Sequence, residues 1–298
     1  MEIKTLNSFI DLAKQKGTKT VAVAAAEDEP VLSAIKDGFT NDIITPILIG
    51  NANKIKQISD NIEFDITKFE IINELEPSKS AQLAVKIVRD GGASILMKGL
   101  VATADYLRAI LNKEYGLRSG ELLSHIGFFE VPAYHKIIAL TDAAQNMYPE
   151  LSEKISIINN AVDCMNKVGI NNPKVALVAA IEGVNPKMPA TLDAAAITMM
   201  NRRGQIKNCI IDGPLAFDNA VSKEAAEHKG IKSEVAGDAD LIVAPNIDVG
   251  NALYKSFTYF AQSVVAAIIL GATVPIVLTS RADSDRSKLL SLALAASY

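Results

Sequence analysis

The chain lacks most of the residue patterns that announce a familiar chemistry. It has no tryptophan, and aromatic residues make up only 5% of its 298 positions. Its two cysteines, Cys164 and Cys209, stand far apart and form no CxxC pair, which excludes a disulfide scaffold and a zinc ribbon. Cys164 lies in a helical pattern and Cys209 opens an apolar strand-like run, and both read as small buried thiols rather than nucleophiles. The three histidines, His125, His135 and His228, show no HExxH spacing. No two glycines stand two apart, so GxGxxG is absent, and neither GxxxxGK[ST] nor GxSxG occurs. A P-loop kinase, a zinc hydrolase and an α/β-hydrolase are therefore disfavoured. The 30 basic and 34 acidic residues are interspersed, giving a net charge of -4 with no basic block, so no nucleic-acid partner is expected. The N-terminal MEIKTLNSFIDLAKQKG has no long apolar core, and no signal peptide is expected. The uncharged stretch from Ser263 to Ser280 is divided by Gly271 and Pro275. It reads as a short helix followed by a β-branched strand, VPIVLT, too short for a membrane span. A cytoplasmic location without a membrane partner is the expectation.

What is present is an alternation of apolar runs and helical patterns, in a chain that is 49% hydrophobic. TVAVAAA, ITPILIGN, ASILMKG, KVALVAAIE, NCIID, DLIVAP and VPIVLT have strand length and little polar alternation. Between them, EDEPVLSAIKDGF, Pro77 to Asp90 and TADYLRAIL carry helix start signals and apolar faces. Such a pattern predicts mainly parallel sheets covered on both faces. SHIGFFEVPAYHKIIALTD breaks the alternation with two β-rich runs around Pro132 and Ala133. There is no room for a crossover helix, so an antiparallel hairpin or a strand crossing between domains is predicted. A second α/β unit begins with the amphipathic pattern after Pro149. The expected organisation is two α/β domains, 1–145 plus 282–298 and 146–281, around a cleft where a small ligand would bind.

Four segments at strand ends can carry chemistry. TSRADSD follows VPIVLT and precedes a helix, a place where backbone N–H groups and the helix dipole favour an anion. Ser280 offers a hydroxyl, Arg281 a guanidinium matched to phosphate oxygens, and Asp283 and Asp285 offer carboxylates. The structural alternative is that Ser284 caps the last helix, with Asp285 in its first turn. In APNIDVGNALYKS, Asn246, Asp248 and Asn251 are candidate ligand contacts, or plain turn residues. In MKGLVATADYLRAIL, Lys98 and Arg108 can face an anion and Thr103 opens a helix. Equally, Thr103 is an ordinary N-cap and Arg108 a solvated helix residue. EGVNPKMPATLDAA adds Lys187, which by itself reads as a solvated loop lysine.

Taken in order, KGLVATADYLR, LTDAAQNMYPEL, DGPLAFDNAVS, VAPNIDVGNALYK and LTSRADS resemble the phosphate acetyl/butyryltransferase family. The resemblance runs from about residue 90 to the C-terminus. SHIGFFEVPAYHK, VNPKMPATLDAA and SRADS are similar to the butyryl branch, whereas the acetyl branch usually has SRGCS at the last motif. The resemblance implies two α/β domains similar in architecture to isocitrate and isopropylmalate dehydrogenases. It implies acyl-coenzyme A and inorganic phosphate as substrates, coenzyme A being a substrate rather than a bound cofactor. It implies no metal in the chemistry and a homo-oligomer. On this basis Ser280 would stabilise the tetrahedral transition state, Arg281 would bind the phosphoryl group, and Arg108 would contact coenzyme A. The acetyl branch has an aspartate seven residues after the motif serine, proposed as general base; here that position is Ser287, which leaves Asp283 and Asp285 as substitutes. A second coenzyme-A arginine of the acetyl branch has no counterpart near NELEPSKSAQ. Acyl length is left open between butyryl, acetyl and a broad range. Two rivals are weighed beside this reading. A metal- and NAD-dependent hydroxyacid dehydrogenase on the same architecture would need an aspartate cluster that the sequence does not show. A non-catalytic coenzyme-A-binding protein would not need the intact Ser-Arg pair.

Overall fold

Strand and helix alternate along the whole computed structural model, which describes residues 3–278 and 283–298. The order begins α1 (Asn7–Lys16), β1 (Lys19–Ala24), α2 (Glu29–Thr40), β2 (Ile44–Gly50), α3 (Ala52–Asn61), β3 (Glu70–Asn73), α4 (Pro77–Arg89), β4 (Ile95–Lys98) and α5 (Thr103–Ile110). It continues with β5 (Ser124–Glu130), β6 (Ile138–Thr141), α6 (Leu151–Lys167), β7 (Lys174–Val178), α7 (Pro189–Arg202), β8 (Ile210–Leu215), α8 (Phe217–Val221), α9 (Lys223–His228), β9 (Leu241–Val243) and α10 (Ile247–Tyr259). It closes with β10 (Val264–Leu270), β11 (Ile276–Val277) and α11 (Asp285–Ser297).

Two compact units result. One comprises Asn7–Glu121 and Ala266–Tyr298, the other residues 3–6 and Leu122–Val265. The first unit has strand order β3-β2-β1-β4-β11-β10. All its pairings are parallel except β10 with β11. Consecutive buried residues in β1, from Val21 to Ala24, show a strand covered on both faces. Helix α2 starts at a proline in its first turn and buries Val31, Leu32 and Ile35. Helix α11 packs against α1 and α2 and is buried from Ser287 to Ser297, with Ser287, Lys288, Ser291 and Ser297 among its leucines and alanines.

The second unit has strand order β5-β6-β9-β7-β8. β5 and β6 form the predicted antiparallel hairpin, with Gly127 opposite Leu140, and the other pairs are parallel. The amphipathic pattern after Pro149 becomes α6, entered through a reciprocal capping box between Glu150 and Glu153. The units change over at 121/122 and 265/266, whereas the sequence reading put the changes near 145 and 281. The hairpin accounts for the difference, because β6 pairs with β9 and so draws residues 122–145 into the second unit. The expected short helix after Ser263 is instead strand β10. Its residues VVAAIIL are almost all buried, and a run without polar alternation carries no period to separate helix from strand. Among the described residues, no helix is long and apolar enough to cross a membrane.

The N-terminal ends of β6, β7 and β9 are fastened by one ionic cluster. Asp238 accepts from Lys174 Nζ at 2.6 Å and His135 Nε2 at 2.8 Å, and Lys136 Nζ lies 3.0 Å away. Lys136 also pairs with Asp240 at 2.6 Å, and the Lys174 amide donates to Asp240 at 2.8 Å. Partial burial alone would raise the Asp238 pKa, but hydrogen bonds from Lys174, Lys136 and His135 outweigh it and hold the carboxyl well below the usual carboxylate range. A carboxylate with a depressed folded-state pKa contributes stability above its unfolded pKa and loses it as pH falls through the folded value. Asp238→Asn is therefore expected to cost about 2 kcal/mol near neutral pH. The gap between the melting temperatures of variant and parent should narrow steadily as pH drops below about 4. A gap that stays constant from pH 7 to pH 3 contradicts this assignment.

Candidate active site

In a parallel sheet, loops leaving neighbouring strands at their C-terminal ends become neighbours themselves. β6 and β9 are such a pair, with Thr141 opposite Val243. Two of the motif segments, LTDAAQNMYPEL and VAPNIDVGNALYK, therefore meet although they lie about a hundred residues apart in sequence. The Asp142 side chain organises the first of them. It is 4% exposed, and its carboxylate accepts from the amides of Ala144 (2.8 Å), Gln145 (2.9 Å) and His125 (3.2 Å), and from Asn146 Nδ2 (2.6 Å). A buried carboxylate needs such a set of donors, and here backbone supplies three of the four, two from the turn itself and one from β5.

The second segment docks on this turn. Asn246 caps α10 by accepting from the Val249 amide at 3.1 Å. The Ile247 amide donates to the Met147 carbonyl at 2.9 Å, and Asn251 Nδ2 donates to the Ala143 carbonyl at 3.2 Å. Tyr148 donates its phenol to Asp248 Oδ2 at 2.7 Å. The hydrogen bond to that carboxylate and its nearby charge raise the Tyr148 pKa. Gly250 sits where a Cβ would lie 2.2 Å from the Asp142 carbonyl oxygen, so only glycine permits this approach.

Next to this junction lies a cavity of about 600 Å³ within the same unit. Its wall is made by the end of β7 (Val178), the entry to α7 (Met188), the start of α8 (Ala216, Phe217) and the first two turns of α10 (Val249, Leu253). Beneath it, Lys154 of α6 is 8% exposed and pairs with Asp193 of α7 at 2.6 Å, which ties the two helices together. Of the candidates in this unit, Asn246, Asp248 and Asn251 thus come together, with their side chains engaged in capping and docking. Lys187 is exposed on the loop before α7, where its amide donates to Asn185 Oδ1 at 2.9 Å.

The remaining candidates belong to the other unit. Lys98 ends β4, is 9% exposed, and donates to the neighbouring Gly99 carbonyl at 3.3 Å. β11 runs parallel beside β4, with Val277 opposite Met97, so both strands end at one edge of the sheet. Ser280 and Arg281 lie outside the described residues. Beyond them, Asp283 is partly buried and its carbonyl accepts from Lys288 Nζ. Asp285 is exposed in the first turn of α11, and Ser284 caps that helix by accepting from the Ser287 amide at 3.2 Å. The structural alternative for this segment is realised. Ser287 is buried and offers a hydroxyl where the acetyl branch has its aspartate. Thr103 is not the N-cap that the sequence suggested: the cap position falls on Ala102, without a side-chain cap bond, and Thr103 is the first helical residue. Arg108 is exposed and pairs with Asp105 one turn earlier on the same helix.

Sequence reasoning missed Asp142, Asn146 and Tyr148 as individual residues. Their signal was an Asp directly after a buried strand, followed by small residues and an Asn, the composition of a side-chain-stabilised turn. Burial pushes the Cys209 thiol up to about 11, and Cys164 is fully buried, in keeping with structural thiols. Among the described residues, no three His, Cys, Asp or Glu side chains gather as a metal site requires.

Mainly parallel strand pairing in both units, with motif loops at strand C-terminal ends where such folds place their ligands, defines an α/β protein of doubly wound type. The family model "phosphate acetyl/butaryl transferase" matches residues 5–82 and 74–296, and the chain belongs to that family. It is 51% identical to the phosphate butyryltransferase of Clostridium acetobutylicum over 294 residues, covering 99% of this chain and 98% of that protein. The crystal structure of a branched-chain phosphotransacylase from Enterococcus faecalis V583 superposes with a TM-score of 0.81 at 34% identity, covering 94% of this chain and 98% of the other. The 4-hydroxythreonine-4-phosphate dehydrogenase of Klebsiella pneumoniae shares the fold alone, with a TM-score of 0.55 at 12% identity, covering 94% of this chain and 100% of the other. That likeness fits the dehydrogenase-like architecture expected from the sequence.

The contact between Gly250 and the Asp142 carbonyl gives a paired prediction. Gly250→Ala should cost about 1–3 kcal/mol, because the added methyl must displace backbone. Gly183→Ala, whose Cβ would meet nothing within 4 Å, should be close to neutral. Urea denaturation of both variants measures the difference, and equal stabilities would refute the steric account.

Proposed function

We propose that this protein is a phosphate acyltransferase that moves a short acyl group, butyryl in preference, reversibly between coenzyme A and inorganic phosphate. The observation that carries the reading is the 51% identity to a phosphate butyryltransferase across both units of the chain. The meeting of two motif segments at the β6 and β9 strand ends supports it, because these segments also carried the resemblance in the sequence.

The chemistry needs no protein nucleophile. A thiol with pKa of about 8.5 is only a few per cent ionised at neutral pH, so a positioned base assists. In the direction of thioester synthesis, the coenzyme A thiol gives its proton to that base. The sulfur attacks the carbonyl carbon of the acyl phosphate, and the C–O bond to phosphate breaks with its electron pair leaving on phosphate. Negative charge builds on the carbonyl oxygen in between, where one hydroxyl or amide donor contributes about 3–4 kcal/mol. In this proposal Ser280 is that donor and Arg281 holds the phosphoryl group. Ser287 has no carboxyl group, so the base falls to Asp283 or Asp285. Lys98, Thr103, Arg108, Lys187, Asn246, Asp248 and Asn251 are assigned to substrate binding, Arg108 toward coenzyme A. Coenzyme A acts as a substrate and not as a resident cofactor. A homo-oligomer in the cytoplasm completes the reading.

Phosphate-dependent release of free thiol from butyryl-coenzyme A tests the activity directly. Arg281→Ala should lower turnover by several orders of magnitude while leaving the melting temperature near that of the parent. Near-parental turnover in that variant would remove the central assignment. Of Asp283→Asn and Asp285→Asn, one should slow the chemical step by about 10²–10⁴-fold. If both turn over normally, neither is the base.

A further inference from the structure

Of the residues that line the cavity of about 600 Å³ in the second unit, Asn246 alone has been given a role so far. Ten of its twelve wall residues are apolar. The two polar ones, Asn246 and Asp218, are turned to their own backbone: Asn246 accepts from the Val249 amide at 3.1 Å and Asp218 from the Asn219 amide at 2.9 Å. Such a wall offers little to a phosphate or a purine and much to an alkyl chain. The cavity also opens among the loops at the C-terminal ends of β7, β8 and β9, where α/β sheets place their ligands. We infer that it seats the aliphatic acyl chain of the substrate, and that Val249 on α10 and Ala216 before α8 set the chain length it accepts. This inference rests on the acyltransferase reading above and deepens it.

Size decides how selective the seat can be. If each carbon takes about the 30 Å³ share of a water molecule, a four-carbon chain fills on the order of 100 Å³. The cavity therefore has space for chains longer and more branched than butyryl, and for part of the thioester arm. Its walls are nevertheless held in place. α10 is fixed by its cap and by its docking on the Asp142 turn, and α7 by the Lys154–Asp193 pair. Each methylene that a fixed apolar wall removes from water is worth about fourfold in binding, so two methylenes separate butyryl from acetyl by about fifteenfold.

Turnover with phosphate is measured as kcat/KM for acetyl-, butyryl-, isovaleryl- and hexanoyl-coenzyme A. The parent protein should use isovaleryl- and hexanoyl-coenzyme A within about tenfold of butyryl-coenzyme A. Val249→Phe and Ala216→Leu fill the cavity from different elements. Each should lower the butyryl-to-acetyl ratio of kcat/KM by about tenfold or more, and the hexanoyl-to-acetyl ratio further still. Rejection of hexanoyl- and isovaleryl-coenzyme A by the parent by more than a hundredfold overturns the inference, even if neither variant folds. So do variants that fold, as judged by their melting temperatures, and keep the parental ratios. Absence of phosphate-dependent turnover with every thioester is a different result, since it removes the acyltransferase reading itself.

Discussion

A single buried carboxylate orders the described site. Asp142 gathers four N–H donors, three of them from backbone, and thereby turns the segment after β6 into a fixed shape. Its own carbonyl then abuts Gly250, so the position of α10 follows from the position of the turn. From α10 come Asn246, Asp248 and Asn251, and also Val249 and Leu253 on the cavity wall. An uncompensated buried carboxylate would be costly, so a turn conformation that withdrew these donors would be disfavoured. The constraint passes from one side chain to a loop, from the loop to a helix, and from the helix to the cavity.

The two ends of the second unit's sheet serve different purposes. At the N-terminal ends of β6, β7 and β9, oppositely charged side chains pair with one another through Asp238 and Asp240. These interactions tie the starts of three strands together. At the C-terminal ends the loops carry Asn, Asp, Tyr and Gly, whose hydrogen bonds fix backbone while leaving an apolar hollow beside them. Ends that are specialised in this way let stability be concentrated where no ligand has to enter.

Much of this architecture was legible in the sequence, and the failures have identifiable physical causes. Strands such as VAVA and ILMK were visible because fully covered parallel strands must be apolar at every position. The hairpin of β5 and β6 was visible because no crossover helix fits between them. The run VVAAIIL was misread because it has no polar alternation, and its short length left helix and strand equivalent. β3, with the partly exposed sequence EIIN, gave too little signal to be noticed. The change of unit at 121/122 escaped notice because no shift of composition marks it. At the site, the order of the motifs was enough to identify the family. The contacts were not: Ala143 and Asn251 are 108 residues apart, and only the adjacency of β6 and β9 joins them.

The chemical character of these groups constrains which of them can take part in the proposed reaction. Asp248 raises the Tyr148 phenol above its ordinary range, burial raises the Cys209 thiol to about 11, and the Asp142 carboxylate already accepts four N–H donors. None of these three is suited to taking a proton from a thiol at neutral pH. Asn246 and Asn251 are committed to a cap and to a docking contact. Their unit is better matched to seating a substrate than to moving its protons. On the proposed reading, proton transfer then rests on the segment before α11, where carboxylates stand at a helix start. A reaction in which the nucleophile and the leaving group both belong to the substrates asks little of the protein's own nucleophiles, since it has only to align the substrates, remove one proton and stabilise one oxyanion.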